Sequence, residues 1–190
     1  MDQTIVRPDQ IISTRASLTD ALKSYSTPYH EEQPFAAKFL ELLQHERAFH
    51  RDHLPGHITG SAWIVDAQKQ SVLLTHHAKL NKWLQPGGHA DGDENVFAVA
   101  LREAQEETGL KNFKLLSPGI FDIDIHIIPA RKDFPEHWHY DVRFLFEADP
   151  AEALIITEES HDLQWVPLNK LSDYTTQDSM LRLQQKVVSN

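Results

Sequence analysis

The stretch GGHADGDENVFAVALREAQEETGL, residues 87–110, predicts a glycine loop, a helix and a second glycine in close succession. Asp93 is of a residue type that caps helix N-termini, and Gly109 stands where many helices end in the left-handed conformation. We therefore predict a helix over residues 94–108. At about 100° per residue its apolar side chains form a single stripe suited to burial in a core: Phe97, Ala100, Leu101 and Ala104.

The same helix carries three carboxylates on another face, at Glu103, Glu106 and Glu107. Like charges three or four residues apart repel each other, so the cluster requires protonation, basic partners or a divalent cation. Arg102 can orient one carboxylate but cannot neutralise all three. Hard cations such as Mg²⁺ are commonly held by a few carboxylates together with substrate phosphates, which predicts a metal and phosphate site. The alternative is a solvated acidic surface, which charge runs commonly form.

The spacing of charged residues and glycines in this segment resembles the Nudix box of the Nudix hydrolase family. All seven fixed positions of that pattern are filled: Gly88, Glu94, Arg102, Glu103, Glu106, Glu107 and Gly109. Leu110 supplies the closing aliphatic residue, and Ala104 is smaller than the aliphatic residue usual at its position. A motif with this many fixed positions is far more specific than a lone glycine motif.

The resemblance implies a fold and a domain organisation. Nudix hydrolases have an α/β (α+β) fold in which helices flank a mixed sheet, an α/β/α sandwich. The segments 120–128 and 139–147 alternate between apolar and polar residues, as strands with one buried face do. We predict a Nudix hydrolase domain over residues 56–190. The preceding residues, 1–55, contain helical patterns and are predicted to form a helical N-terminal extension outside the resemblance.

The resemblance also assigns roles within the box. It implies that the three box glutamates bind Mg²⁺ or Mn²⁺, with help from a main-chain carbonyl near Gly88. Glu94 and Arg102 would form an internal pair that orients these ligands. The implied reaction is attack by water on a phosphorus of the pyrophosphate in a nucleoside diphosphate linked to another group. Glu106, Glu107 and Arg102 would then belong to the catalytic centre.

Several glutamates are candidates for the general base of such a reaction. Some relatives use a glutamate of the box and others use one on a later loop. Glu159, six residues before Trp165, lies where some relatives place a further metal-binding carboxylate, so we assign it as the extra ligand or the base. Glu158 and Glu107 are rival candidates, and a solvated loop is the alternative for Glu158 and Glu159.

Candidate substrate contacts lie upstream of the box and on one strand. Lys79 and Lys82 precede the glycine loop and could contact outer phosphates as point charges, although ordinary surface lysines are the simpler interpretation. Arg143, on the polar face of its strand, is the best candidate for a phosphate or sugar contact. Tyr140 or Trp138 is the best candidate for stacking. The alternative is that this strand face is simply exposed to solvent.

A His-x-His arrangement at His137 and His139, together with His126, suggests zinc ligands. Histidine pairs are common in proteins without metal, and the spacing between these residues is not diagnostic. The sequence therefore leaves a zinc site as an alternative.

The substrate class rests on a second resemblance. The passages WLQPGGHADGDE and EHWHYDVRF resemble a bacterial Nudix subgroup that acts on nucleoside diphosphate sugars. We therefore expect cleavage of such a sugar to a nucleoside monophosphate and a phosphorylated sugar. The alternatives are (deoxy)nucleoside triphosphates or dinucleotides as substrates, or a non-catalytic module that binds a nucleotide. The fold and the box specify the chemistry but not the leaving group.

The composition of the chain limits the kinds of binding partner and the cellular location that we expect for it. The 18 basic and 28 acidic residues give a net charge of −10, which argues against sequence-independent binding of nucleic acid or of an anionic membrane. The absence of cysteine excludes disulfides, thiolate catalysis and cysteine-ligated zinc. The first residues lack the apolar core of a signal peptide, and no apolar run approaches the roughly 20 residues of a membrane span, so we expect a cytoplasmic protein.

The N-terminal extension has an apolar stripe that requires a partner surface. Phe35, Phe39, Leu42 and Leu43 lie at positions that share one helix face. This face must be covered by the core or by a second copy of the chain. We predict a homodimer formed through it.

Overall fold

The computed structural model describes residues 12–132 and 134–189 of the 190-residue chain. The predicted absence of a signal peptide concerns residues outside these ranges. Within them the helices are α1 (Arg15–Ser24), α2 (Phe35–Leu42), α3 (Val96–Thr108) and α4 (Asp178–Ser189). The strands are β1 (Gly56–Val65), β2 (Ser71–His77), β3 (Lys82–Leu84), β4 (Gly87–His89), β5 (Lys114–Leu115), β6 (Asp122–Ile128), β7 (His137–Glu147) and β8 (Ser160–Pro167). A 3₁₀ helix, Leu168–Asp173, follows β8.

The strands form one mixed sheet. Its order is β3-β2-β1-β7-β5, with β4 paired to β1, β6 to β7 and β8 to β2. β1 and β7 run parallel, in register from Gly56 opposite Trp138 to Val65 opposite Glu147. The other pairs are antiparallel, and β1 and β2 form a hairpin in which Val65 pairs with Val72.

Apolar side chains form a core on each face of the sheet. On one face α3 packs against β1 and β7, α1 and α2 join the same core, and Ala100 and Ala104 of the predicted α3 stripe are buried there. On the other face Met180 and Leu183 of α4 pack against residues such as Trp63. This arrangement confirms the predicted α/β/α sandwich with a mixed sheet and a helical N-terminal arm. No helix within the described ranges is both long and apolar enough to cross a lipid bilayer.

Helix α3 begins at Val96, two residues later than predicted. Helix α1 is capped by Thr14, which forms a capping box with Ser17. Asn95 caps α3, while Asp93 accepts a hydrogen bond of 2.9 Å from the main-chain N–H of Asn95. Asp and Asn are about equally good caps, so the local sequence does not distinguish these neighbours. Gly109 ends α3 with φ 76°, as predicted.

The apolar stripe of the arm is buried within the chain's own core. Phe39, Leu42 and Leu43 are all buried, and the ring of Phe39 meets that of Tyr140 edge to face at 5.2 Å. The helix that carries the stripe ends at Leu42, and Leu43 is its C-cap. Since the chain itself covers this stripe, the stripe no longer argues for a dimer, and the homodimer stays a prediction.

Candidate active site

The acidic face of α3 turns toward the glycine loop at β4. Glu107 is buried, and its Oε1 accepts a hydrogen bond of 2.8 Å from the main-chain N–H of Gly87. The Glu103 side chain is 14% exposed and lies so close to Gly88 that a Cβ there would come within 2.5 Å of the Glu103 carboxyl carbon. Glu106 is exposed. Two of the three predicted metal-binding glutamates therefore pack against the loop, and the third faces solvent.

Burial dominates the acid–base behaviour of these carboxyl groups. Burial raises the pKa of Glu107 to about 8, and the charges of Glu103 and Glu159 act in the same direction. Burial also raises the pKa of Glu103, although Arg102 opposes that shift. A divalent cation among these groups would offset both the repulsion and the cost of burial. Carboxylate oxygens beside a main-chain carbonyl are the donors that Mg²⁺ and Mn²⁺ prefer, so the residues fit such an ion.

Glu159 interacts with the box from a loop far along the chain. Its charge contributes to the raised pKa values of both Glu103 and Glu107. Its side chain is exposed on the loop before β8, and its main-chain carbonyl accepts a hydrogen bond of 2.8 Å from the N–H of Ala78. Glu158, the rival on the same loop, is also exposed. Of the two, Glu159 is the one whose charge raises the pKa of Glu103 and of Glu107.

The predicted pair of Glu94 with Arg102 is replaced by two other pairs. Glu94 Oε1 lies 2.8 Å from Nε of Arg15 in α1. Arg102 lies 2.9 Å from a carboxylate oxygen of Glu103 and donates a hydrogen bond of 3.2 Å to the main-chain carbonyl of His89. The prediction is wrong because the arm, which lies outside the box, supplies a guanidinium beside the start of α3.

Arg143 is a buried member of an ion-pair network and not a free substrate contact, which corrects the prediction for this residue. Its side chain is 3% exposed and pairs with three carboxylates: Asp141 at 2.8 Å, Asp124 at 3.1 Å and Asp122 at 3.2 Å. Burial alone would lower the pKa of Arg143, but these carboxylates raise it. Arg182 of α4 also pairs with Asp122, at 2.8 Å. Because α4 covers this part of the strand face, the alternative of solvent exposure is wrong as well.

The other substrate candidates lie in different surroundings. Tyr140 is partly buried and packs beside Phe39 at the edge of the core, and it stays a predicted stacking residue. Trp138 is 39% exposed. Lys79 and Lys82 are exposed at the turn from β2 into β3 and stay predicted phosphate contacts.

Arg51 is a basic residue near the box that the sequence analysis missed. It belongs to the segment between α2 and β1 and pairs with Asp91, just after β4. The charge of Glu103 contributes to raising the pKa of Arg51, whose largest cause is the hydrogen bond with Asp91. No motif could have pointed to Arg51, because the arm lies outside the family resemblance.

Comparisons with known proteins identify the family of this chain. A family model described as the NUDIX domain matches residues 56–185. The chain belongs to the Nudix family. This Nudix chain is 28% identical over 126 residues to a probable DHNTP pyrophosphohydrolase of Lactococcus lactis subsp. cremoris, a match that covers 65% of this chain and 74% of that protein.

Two further similarities concern a longer relative and a solved structure. The chain is 42% identical over 57 residues to an m7GpppN-mRNA hydrolase of Xenopus laevis, covering 27% of this chain and only 19% of that protein. A NUDIX family hydrolase from Clostridium perfringens has a similar structure, with a TM-score of 0.54 and 27% identity, over 70% of this chain and 97% of that one. The chain is a Nudix hydrolase, in a family that acts on nucleotide-linked substrates and generally uses divalent metal ions.

Adding Mg²⁺ or Mn²⁺ to the cation-free protein is expected to raise its melting temperature, more so at higher pH. The folded-state pKa of Glu107 is raised to about 8, above the usual value of about 4.3. The cation-free protein therefore loses stability as the pH rises between these two values. A bound cation replaces the proton, so its stabilising effect grows with pH across the same window.

Thermal unfolding measured with and without the cation across this pH window checks the prediction. In a Glu107→Gln variant the pH dependence of the cation's effect should shrink. A cation effect of constant size throughout the window in the wild-type protein would contradict it.

Replacing Gly88 with alanine is expected to impair hydrolysis while leaving the fold intact. The new Cβ would come within 2.5 Å of the Glu103 carboxyl carbon, the far end of a flexible side chain that can move away. A ligand displaced by about 1 Å can cost about 100-fold in rate. The steady-state rate and the melting temperature should be measured together. If the Gly88→Ala variant has the wild-type rate and the wild-type Mn²⁺ affinity, the position of the Glu103 carboxylate beside Gly88 is not required for hydrolysis.

Proposed function

We propose that this Nudix hydrolase is a Mg²⁺- or Mn²⁺-dependent pyrophosphohydrolase that cleaves a nucleoside diphosphate linked to another group. The observation that carries the proposal is the packing of Glu103 and Glu107 against the glycine loop. A purely structural acidic face would point its carboxylates into water, where their charge is solvated. Here burial raises the pKa of both groups, and binding a cation would offset that cost.

The ion would be held by Glu103, Glu106 and Glu107, with a main-chain carbonyl near Gly88. When bound, a divalent cation polarises phosphoryl oxygens, lowers the pKa of coordinated water and offsets charge on the leaving phosphate. The net charge of −10 then does not prevent binding of a phosphate-bearing substrate.

The chain's own residues would move the proton and orient the ligands. Glu159 is exposed beside the box, so its carboxylate can accept the proton of the attacking water. Glu107, its rival, is buried and accepts the Gly87 N–H, which suits a ligand better than a mobile base. Arg102 would position Glu103, to which it is paired at 2.9 Å.

Two substrate classes remain as proposals. The sequence resemblance favours a nucleoside diphosphate sugar, cleaved to a nucleoside monophosphate and a phosphorylated sugar. The second candidate is a dinucleotide or a nucleoside triphosphate, and the names of the two relatives favour it because they refer to DHNTP and m7GpppN-mRNA rather than to sugars. The exposed Lys79 and Lys82 would contact outer phosphates in either case.

A substrate panel in ¹⁸O-labelled water tests the proposal. Nucleotide sugars, dinucleotides and nucleoside triphosphates would be incubated with the protein and Mg²⁺ or Mn²⁺, and the products identified by mass spectrometry. We expect cation-dependent cleavage of one class, with the label in one product showing which phosphorus was attacked. A nucleotide that binds in the presence of Mg²⁺ but stays uncleaved over long incubation would instead establish a binding module.

A further inference from the structure

Four histidines from three strands converge on the side of the sheet opposite α3. His57 lies on β1 and is opposite His139 of β7, and His137 lies two residues before His139 on the same strand face. His89 lies on β4, whose pairing with β1 places it opposite Thr59, a residue of the same face as His57. One ring nitrogen from each of the four histidines lies within 4.8 Å of the others.

The hydrogen bonds of His137 and His57 occupy Nδ1 of each ring and leave Nε2 available as a metal ligand. His137 Nδ1 lies 2.8 Å from the carbonyl oxygen of Pro135, so Nδ1 carries the proton and Nε2 is a bare acceptor. That Nε2 lies 3.3 Å from Nε2 of His139. His57 Nδ1 lies 3.4 Å from the carbonyl of His53, while its Nε2 is buried with no hydrogen-bond partner within the described residues. A fully buried imidazole nitrogen without a partner requires an explanation.

Three of the four rings, those of His57, His89 and His139, are held in the neutral form that a metal ligand requires. Burial lowers the pKa of His57 and of His89 to about 4 and lowers the pKa of His139 as well. Neutral imidazole is the form that coordinates metals. Metal-bound histidines usually donate their other ring N–H to a carbonyl or carboxylate, as His137 does here.

We propose that His57, His89, His137 and His139 form a binding site for a zinc ion, separate from the acidic box. Zinc–nitrogen bonds of about 2.0–2.1 Å in a tetrahedron place the nitrogens about 3.3 Å apart. The distance between the Nε2 atoms of His137 and His139 already equals one such edge. Imidazole nitrogens favour zinc and other transition metals, whereas Mg²⁺ favours oxygen, so the two sites select different ions.

The site is structural, because four protein ligands fill a tetrahedron and leave no position for substrate. It links β1, β7 and β4, the strand that also carries the glycine loop of the box. On β4, a Cβ at Gly88 would point to Glu103, whereas His89, the next residue, points to the opposite face. A zinc ion would therefore hold the loop from the side away from the catalytic carboxylates.

The structural set differs from the zinc ligands suggested by sequence. His126 is not part of it: its Nδ1 bonds with Asp124 at 3.1 Å, and its ring is 5.5 Å from that of His139. His57 and His89 take its place, although they lie 32 residues apart in the chain (89 − 57) and in no motif. His126 is therefore a matched control, a neighbouring histidine that should not bind the metal.

Calorimetric titration of the chelator-treated, dialysed full-length protein with Zn²⁺, in excess Mg²⁺ to occupy the box, tests the proposal. We expect one Zn²⁺ per chain, and Co²⁺ in its place should give the visible absorption bands of a tetrahedral nitrogen site. His89→Gln and His137→Gln should each weaken binding by more than the roughly 10- to 100-fold that follows loss of an outer-shell partner. His126→Gln should bind as the wild type does, and circular dichroism would verify the fold of each variant.

Several results would overturn the zinc site. One is the absence of stoichiometric Zn²⁺ binding in the wild-type protein. Another is a His126→Gln variant that loses as much Zn²⁺ affinity as His137→Gln does. Loss of the Zn²⁺ in a Glu107→Gln variant would place the ion in the box instead. If His137→Gln does not fold, His89→Gln decides alone, since the His89 ring is only partly buried. Because the readout is zinc binding, failure here leaves the proposed hydrolysis standing, and the reverse also holds.

Discussion

Replacing Glu107 with glutamine is expected to lower the turnover number by about 10²- to 10³-fold, the scale on which loss of one preorganised charge-stabilising group acts. The variant keeps a side-chain oxygen that can accept the Gly87 N–H, so the loop contact survives. It removes the negative charge that would hold the divalent cation. It also removes the cost of burying a carboxylate, so the cation-free variant should be at least as stable as the wild type.

Steady-state hydrolysis at saturating cation measures the expected loss of turnover. A melting curve without cation measures the expected stability of the variant. Glu41→Gln is the matched control, because Glu41 is exposed on α2, outside the box, and its loss should leave the rate unchanged. A Glu107→Gln enzyme with wild-type turnover at saturating Mg²⁺ would remove Glu107 from the catalytic centre. A variant that is inactive because it unfolds would show itself in the melting curve.

Replacing Glu32 with alanine is expected to lower the free energy of unfolding by about 3–5 kcal/mol, as loss of one partner from a buried ion pair does. Glu32 is fully buried, and its carboxylate accepts hydrogen bonds from the hydroxyls of Tyr25 and Thr27. The Lys186 ammonium lies 2.7 and 2.8 Å from its two oxygens, and the main-chain N–H of Ile123 donates at 3.1 Å. This one side chain therefore joins the arm, β6 and α4.

Urea unfolding of the variant and of Glu31→Ala provides the comparison. Glu31 is the adjacent residue, its side chain is 51% exposed and its distance to Arg182 is 3.8 Å. Because the Glu31 side chain is half-exposed and makes only this long contact with the buried Arg182, we expect its loss to cost about 1 kcal/mol or less. Equal effects of the two substitutions would show that the arm is not held by the buried pair. A difference of several kcal/mol would show that the arm is part of the folded domain.

The catalytic segment could be predicted because its information is local. The period of α3 separates the apolar stripe from the three glutamates, and the glycine after the helix specifies where it ends. The alternation of apolar and polar residues in β6 and β7 is local in the same sense. The error in the start of α3 arose because Asp93 and Asn95, two positions apart, are equally good caps.

The sequence by itself thus determined the family, the sandwich fold and the acidic helix face that supports the proposed hydrolysis. Only the tertiary structure decided which distant side chains meet: Arg15 with Glu94, Arg143 with three aspartates, and four histidines from three strands. The physical reason is that strand alternation separates two faces but does not reveal what covers each face. A polar strand face has the same sequence pattern whether water or the charged residues of α4 lie against it. Only the packing of the whole chain distinguishes an exposed face from a covered one.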